Sequence, residues 1–222
     1  MRRLEEILAI SVERKGSEAE LFKGFEPPKT IAELTATPDD RWLAAMTRAI
    51  FNAGFNWKVV ETMWPGFEAA FKGFDPGACS MMDDGWFDNL ITDTSIVRHG
   101  PKIRAVQENA VYVRAQSEAH GGFGAFVASW GADDFAGLLS HLKSEGTRLG
   151  GTTGQYFLRF MGVDGYILSR DVVSRLIAEG VIDKPPTSKG AMKAVQEAFS
   201  TWHKASGRPL KDISRILATS TG

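Results

Sequence analysis

Apolar residues recur along most of this chain at intervals of three and four, the spacing of one face of an α-helix. Leu4, Ile7, Leu8 and Val12 align over 3–15. Trp42, Leu43, Met46, Ile50 and Phe51 align behind Thr37-Pro38-Asp39-Asp40, which reads as a helix start. Val59, Val60 and Met63 follow in a helix from Asn56, which Trp64-Pro65-Gly66 interrupts or kinks. The same periodicity predicts helices over 82–90, 101–119, 123–130, 132–145, 153–161, 170–179, 189–206 and 210–219. Glu26 to Lys29, Gly73 to Pro76, 92–100 and Lys184 to Thr187 read as breaks. No strand pairs and no fixed-period repeat stand out, so the predicted fold class is all-α. A single domain over 1–222 is expected, formed as two helical lobes with a cleft between them. Its helical lobe spans 40–130 and a hairpin segment spans 132–180. Helices of 1–39 and 181–222 pack around these.

The connection inside LKSEGTRLGGTTGQYFL carries the first candidate chemistry. Gly150 and Gly151 let the backbone turn or take positive φ without a Cβ penalty. Unpaired N–H groups at such a turn and at the following helix start can hold a phosphate. Thr152 and Thr153 can cap that helix or offer hydroxyls, with Arg148 and Leu149 completing the turn. Contacts of this kind set register on DNA without reading its sequence. A plain helix–helix turn with a Gly C-cap fits the same residues. Asp171 follows about twenty residues after the glycines, in ILSRDVV, as a carboxylate or as a helix N-cap. Asp164, beside Gly165, reads as an Asx-type turn.

Two upstream blocks extend the pattern. AGFNWKVVETMWPGFEAAFKGFDP (53–76) and IVRHGPKIRAVQENA (96–110) resemble, in order, motifs of the 3-methyladenine DNA glycosylase I family. The resemblance covers 40–175, and GGTT falls where that family has its hairpin. It implies a helix-hairpin-helix glycosylase fold. Phe55, beside Gly54, takes the DNA-wedge position, and Trp57, with Asn56, takes the base-pocket position. Core packing at a helix junction fits Phe55 and Trp57 as well. Arg98, His99 and Lys102 form a candidate phosphate clamp, and a solvated helix face is their alternative. The family's base-recognising Glu falls at Ala49, and its zinc-binding His falls at Asp171. In the wider superfamily Asp171 matches the catalytic carboxylate, and ILSRDVV resembles the FLPDD-like segment of bacterial alkyladenine glycosylases. Bifunctional members carry a Schiff-base Lys where Thr153 stands. The resemblance therefore implies a monofunctional enzyme that cleaves a damaged purine from double-stranded DNA. A carboxylate is suited to that reaction because it stabilises the oxocarbenium character on deoxyribose. A DNA-binding module without catalysis and a scaffold without a DNA role are the alternatives.

Composition narrows these readings. Hydrophobic residues make up 43% of 222, with six Trp and 14 Phe, enough for an aromatic core. The formal net charge of −1 excludes a bulk basic coat for nucleic acid and leaves room for a local basic face. Cys79 is the single cysteine, so no intrachain disulfide and no Cys-rich zinc site is expected. The scattered His120, His141 and His203 suggest no metal either. Similar hairpins bind a monovalent cation through their carbonyls, and no other cofactor is expected. No signal peptide or membrane span is read, so a cytoplasmic monomer acting on nucleoid DNA is expected.

Overall fold

The computed structural model describes residues 1–221, and all regular structure among them is helical. In chain order the α-helices are α1 (Leu4–Lys15), α2 (Glu18–Leu21), α3 (Ile31–Thr35), α4 (Asp39–Asn52), α5 (Trp57–Thr62), α6 (Trp64–Ala70), α7 (Pro76–Ser80), α8 (Asp84–Thr92), α9 (Gly100–His120), α10 (Phe123–Ala128), α11 (Phe135–Glu145), α12 (Thr152–Phe160), α13 (Arg170–Ala178), α14 (Lys189–Ser206) and α15 (Leu210–Thr219). The longer helices follow the apolar periodicity closely. The short α2, α3 and α7 escape it, because four or five residues cannot display the helical repeat twice. Trp64-Pro65 proves to be a boundary. Met63 closes α5, and Pro65 lies in the first turn of α6, where its missing N–H is tolerated. No helix of the described residues is long and apolar enough to cross a membrane.

The chain forms two compact units, one of Met1–Lys29, Trp130–Leu138 and Gly162–Gly222, the other of Thr30–Ser129 and Leu139–Met161. In the first, α15 packs against α1, α13 and α14. Tyr166 stacks on Phe199 at 4.3 Å and takes Phe135 edge-on at 4.9 Å. A Cβ on Gly165 would come within 2.2 Å of the Phe135 ring, so glycine is required there. The Asp164 carboxylate accepts from the N–H groups of Leu210 (3.1 Å) and Lys211 (2.9 Å). The expected local Asx turn is thus replaced by a long-range cap. Pro209 heads α15 without a side-chain acceptor, and Asp164 supplies one.

In the second unit α4 is central, packing against α5, α9, α10 and α12. Trp42 is buried between Phe123 and Phe157. Phe51, Phe67, Phe71, Phe74, Ile103 and Val106 fill the adjoining core. The FKGFDP block owes its form to three successive left-handed residues, Lys72, Gly73 and Phe74, at φ 52°, 66° and 60°. Left-handed backbone is costly outside glycine, so outside contacts must hold it. Phe74 is buried in a ring stack with Phe71 and Trp64. The Arg41 guanidinium donates to Gly73 O (2.8 Å) and to both Glu68 oxygens (2.9 and 3.1 Å).

Hydrogen bonding from Arg41 holds the Glu68 carboxyl below its usual value of 4.5. Its stabilisation is therefore present above that value and is lost as pH falls through the lowered folded-state value. Glu68→Gln is expected to lower the thermal midpoint at neutral pH and to flatten its decline below about pH 4.5. Melting followed by circular dichroism checks this, and a variant whose pH profile parallels the wild type would contradict it.

Candidate functional site

The hairpin lies between α11 and α12 in the second unit. Leu149 is 1% exposed and pins the turn to the core, while Arg148 is exposed at φ 61°. Gly151, at φ 62°, is the N-cap of α12 and brings no side-chain acceptor. Thr152 and Thr153 do not cap, contrary to expectation. They already lie in the first helical turn, where their hydroxyls are past the capping position. The opening N–H groups of α12 thus meet no side-chain cap, which is the arrangement that receives an anion. Two further residues shape the turn and were not picked out in the sequence. A Cβ on Gly154 would come within 2.3 Å of Leu149 O, so the helix approaches the turn only because Gly154 has none. Asn109 of α9, 1% exposed, grips Thr147 from both sides. Its Nδ2 donates to Thr147 O (3.0 Å) and its Oδ1 accepts from Thr147 N–H (2.9 Å). The terminal Asn-Ala of the 96–110 block was the available signal.

The turn after α4 presents the aromatics. Gly54 takes φ 78°, and the Asn56 side chain caps α5 by accepting from Lys58 N–H (3.0 Å). Phe55 is 42% exposed and Trp57, the first residue of α5, is 59% exposed, so neither serves as core. Ala49 is buried on α4, 6% exposed. Lys102 departs from the expected phosphate clamp. It is 5% exposed, and its ammonium donates to Phe51 O (3.3 Å) and Ala53 O (2.6 Å). These carbonyls end α4 and have no partner within it, so the charge is drawn inward. The ammonium also lies over the Phe55 ring at 4.4 Å. Burial, and then the nearby Arg148 charge, pull its pKa below the usual lysine value. His99 is the N-cap of α9, its Nδ1 accepting from Lys102 N–H (3.3 Å), and its ring meets Phe55 edge-on at 6.0 Å. Phe55, His99, Lys102 and Arg148 are thus brought together, with Arg98 exposed beside them. Arg104 turns away onto Phe87, and Glu61 pairs with Arg48 at 3.5 Å.

Asp171 stands in the first unit, exposed at the second position of α13. The N-cap is Ser169, whose Oγ accepts from Val172 N–H (3.3 Å), so capping does not explain Asp171. Arg175 and Glu179 follow it at helical spacing on the same face. They are buried and paired at 3.2 Å. Arg175 also donates to Ser220 Oγ and O, and Arg2 reaches Glu179 at 3.2 Å. This network sets the rotation of α13 and so the side from which Asp171 projects.

The methyladenine glycosylase family profile matches residues 33–145, just over half of the 222. The chain belongs to that family. Family membership makes it a DNA glycosylase of base-excision repair. Comparison with curated proteins finds no match. Among solved structures, 3-methyladenine DNA glycosylase I from Staphylococcus aureus shares 25% identity at a TM-score of 0.51, over 60% of this chain and 81% of that one. Two others share the fold across nearly the whole chain. The 8-oxoguanine glycosylase/lyase of Methanocaldococcus jannaschii has 15% identity and a TM-score of 0.50, over 96% of this chain and 95% of its own. The Thermotoga maritima 8-oxoguanine DNA glycosylase has 17% identity and a TM-score of 0.50, over 97% and 95%.

Among the described residues no group of three His, Cys, Asp or Glu side chains is arranged to hold a metal ion. Cys79 is buried and its thiol donates to Phe71 O (3.3 Å). Burial pushes its pKa up to about 12.

Cys79 is therefore expected to resist a thiol-modifying reagent in the native protein up to about pH 9, and to react on unfolding. Absorbance of the released chromophore checks this, and rapid native labelling would contradict it. Asn109→Ala is expected to cost about 2–4 kcal/mol in urea unfolding, since it strands both Thr147 backbone groups. A loss below about 0.5 kcal/mol would show that Asn109 does not carry the hairpin.

Proposed function

We propose that this methyladenine glycosylase-family protein flips an alkylated or otherwise damaged purine, such as 3-methyladenine, out of duplex DNA and hydrolyses its N-glycosidic bond. One observation carries the reading. Lys102 and Asn109 lie seven residues apart on one buried face of α9, and they hold the aromatic turn and the hairpin respectively. Seven residues of helix place these anchors about 10 Å apart. An apolar wedge and a phosphate grip are thereby mounted on one rigid element.

In this reading Phe55 and Gly54 enter the duplex and fill the space left by the extruded nucleotide, a step that costs a few kcal/mol. Trp57 stacks on the flipped base, and Asn56 and Ala49 border the base pocket. The N–H groups of Leu149 to Thr153, with Arg148, hold one backbone phosphate, and Arg98 and His99 hold another. Lys102 supports the wedge from beneath. The C1′–N bond breaks, and its electron pair leaves with the base. Asp171 stabilises the oxocarbenium ion that remains. Water then adds to C1′, its proton passes to Asp171, and an abasic site is left. Thr153 has no amine to form a Schiff base, so the strand stays intact. With Ala49 in place of a carboxylate, the pocket admits a wider range of damaged bases than 3-methyladenine. The protein acts as a monomer on nucleoid DNA, with the hairpin carbonyls offering a site for a monovalent cation.

Base release from methylated duplex DNA under single-turnover conditions tests the reading. Asp171→Asn is expected to slow release by about 10²–10⁴-fold while still binding duplex with an abasic site. Trp57→Ala is expected to weaken engagement of the damaged base by about ten- to a hundredfold. Release by Asp171→Asn at the wild-type rate would remove Asp171 from the chemistry.

A further inference from the structure

The last residue of α4 carries a polar atom that the reaction above does not use. The side-chain oxygen of Asn52, Oδ1, is buried and has no hydrogen-bond partner among the described residues. Asn52 as a whole is half-buried. The flanking polar side chains are committed elsewhere. Arg48, one turn back, pairs with Glu61 at 3.5 Å and lies over the Trp64 ring at 4.1 Å. The Asn56 side chain caps α5 by accepting from Lys58 N–H. The backbone that carries Asn52 is fixed. Its own carbonyl accepts from Phe55 N–H (3.2 Å), and the carbonyls on either side, of Phe51 and Ala53, accept from the Lys102 ammonium. Helical spacing puts Asn52 on the same face of α4 as Ala49, three residues before it.

A buried carbonyl without a donor is costly, and native proteins pair nearly all such groups. A hydrogen bond made to this oxygen displaces no water from it, so more of the bond's strength appears as binding. A 6-aminopurine brings the missing donor in its exocyclic amine. A 6-oxopurine brings a second acceptor to the same point, which leaves both oxygens unpaired. The amide torsion of asparagine is broad, so a turn of the half-buried side chain aims Oδ1 at an arriving base. A flipped base is tethered by its glycosidic bond and is read through hydrogen bonds to its edge. We propose that Asn52 is a specificity-determining residue whose Oδ1 accepts from the exocyclic amine of the flipped base, so that the protein selects damaged 6-aminopurines, the adenine type, over 6-oxopurines, the guanine and hypoxanthine type. The proposal rests on the glycosylase reading, in which Ala49 and Asn56 border the base pocket. Ala49 leaves that pocket open to bases of different size, and Asn52 reads the 6-position. Phe55 N–H is bonded to Asn52 O, so the residue that enters the duplex and the residue that reads the base share one backbone turn.

The first experiment needs no base release. Tryptophan fluorescence follows binding of free 3-methyladenine and free 3-methylhypoxanthine, which differ in having an amine or an oxygen at the 6-position. Wild type is expected to bind 3-methyladenine at least about tenfold more tightly, and Asn52→Leu, which keeps the shape without the oxygen, is expected to lose that difference. The second experiment compares single-turnover release of 3-methyladenine and 3-methylguanine from methylated duplex DNA. Asn52→Leu is expected to slow release of 3-methyladenine by about ten- to a hundredfold and to leave release of 3-methylguanine within about twofold of wild type. Its affinity for a duplex carrying a tetrahydrofuran abasic-site analogue is expected to be unchanged. A wild type that does not distinguish the two free bases would overturn the assignment. So would an Asn52→Leu variant with an unaltered preference. A variant that slows both bases alike, or binds the abasic duplex more weakly, would mark a structural role and overturn it too. The two readings fail separately. A wild type that distinguishes the free bases but releases none from DNA defeats the glycosylase reading alone. One that releases 3-methyladenine with the same preference in Asn52→Leu defeats only the assignment of Asn52.

Discussion

The buried face of α9 is the constraint on which the second unit depends. Lys102 and Asn109 are polar residues in an apolar interface, and each satisfies backbone groups of a neighbouring segment. Lys102 caps the carbonyl end of α4, and Asn109 closes both polar groups of Thr147. Burying such groups unpaired is costly, so the two contacts dictate where the neighbouring segments can lie. The aromatic turn and the hairpin are therefore both anchored to the same helix, in addition to the contacts of their own loop residues. Rigid mounting of this kind suits a protein that must hold a strained DNA geometry against the tendency of the base to return to its stack.

The exposed aromatics are best understood against the aromatic core. Phe51, Phe67, Phe71 and Phe74 are wholly buried, as the burial preference of apolar side chains demands. Phe55 and Trp57 stay in solvent because the chain between α4 and α5 is held by the Lys102 ammonium and by Gly54 at positive φ. Charge follows a similar logic. A chain with almost no net charge still places Arg148 at the hairpin. Local fields matter for binding a polyanion, because salt screens charges beyond about 8 Å.

Much of this was legible in residue order. The helical class followed from periodicity, and the ordered blocks at 53–76 and 96–110 identified the family. The blocks themselves have physical reasons that their residue types alone did not disclose. FKGFDP is a run of left-handed residues braced by Arg41, and the final Asn of the second block is a hairpin clamp. Lys102 misled because a lysine in a basic run reads as a surface charge. Its neighbours in space, the end carbonyls of α4, are some fifty residues away in sequence. Asp164 misled similarly, since its partners lie at Leu210 and Lys211. Ser169 could have been read as the cap of α13 from its place two residues before Asp171.

By itself the sequence determined what depends on near neighbours. That includes the helices, the glycine turns, the absence of a lysine at Thr153 and the presence of Asp171 about twenty residues after the hairpin. Tertiary structure alone decided which polar residues face inward and which remain on the surface. Lys102 and Asn109 were taken into the core, Phe55 and Trp57 were left outside it, and Asp171 was set at the end of a buried Arg175–Glu179 stripe. The reason is physical. Periodicity records the average face of a helix, whereas the fate of a single polar group is decided by whether a distant segment supplies its hydrogen-bond partner.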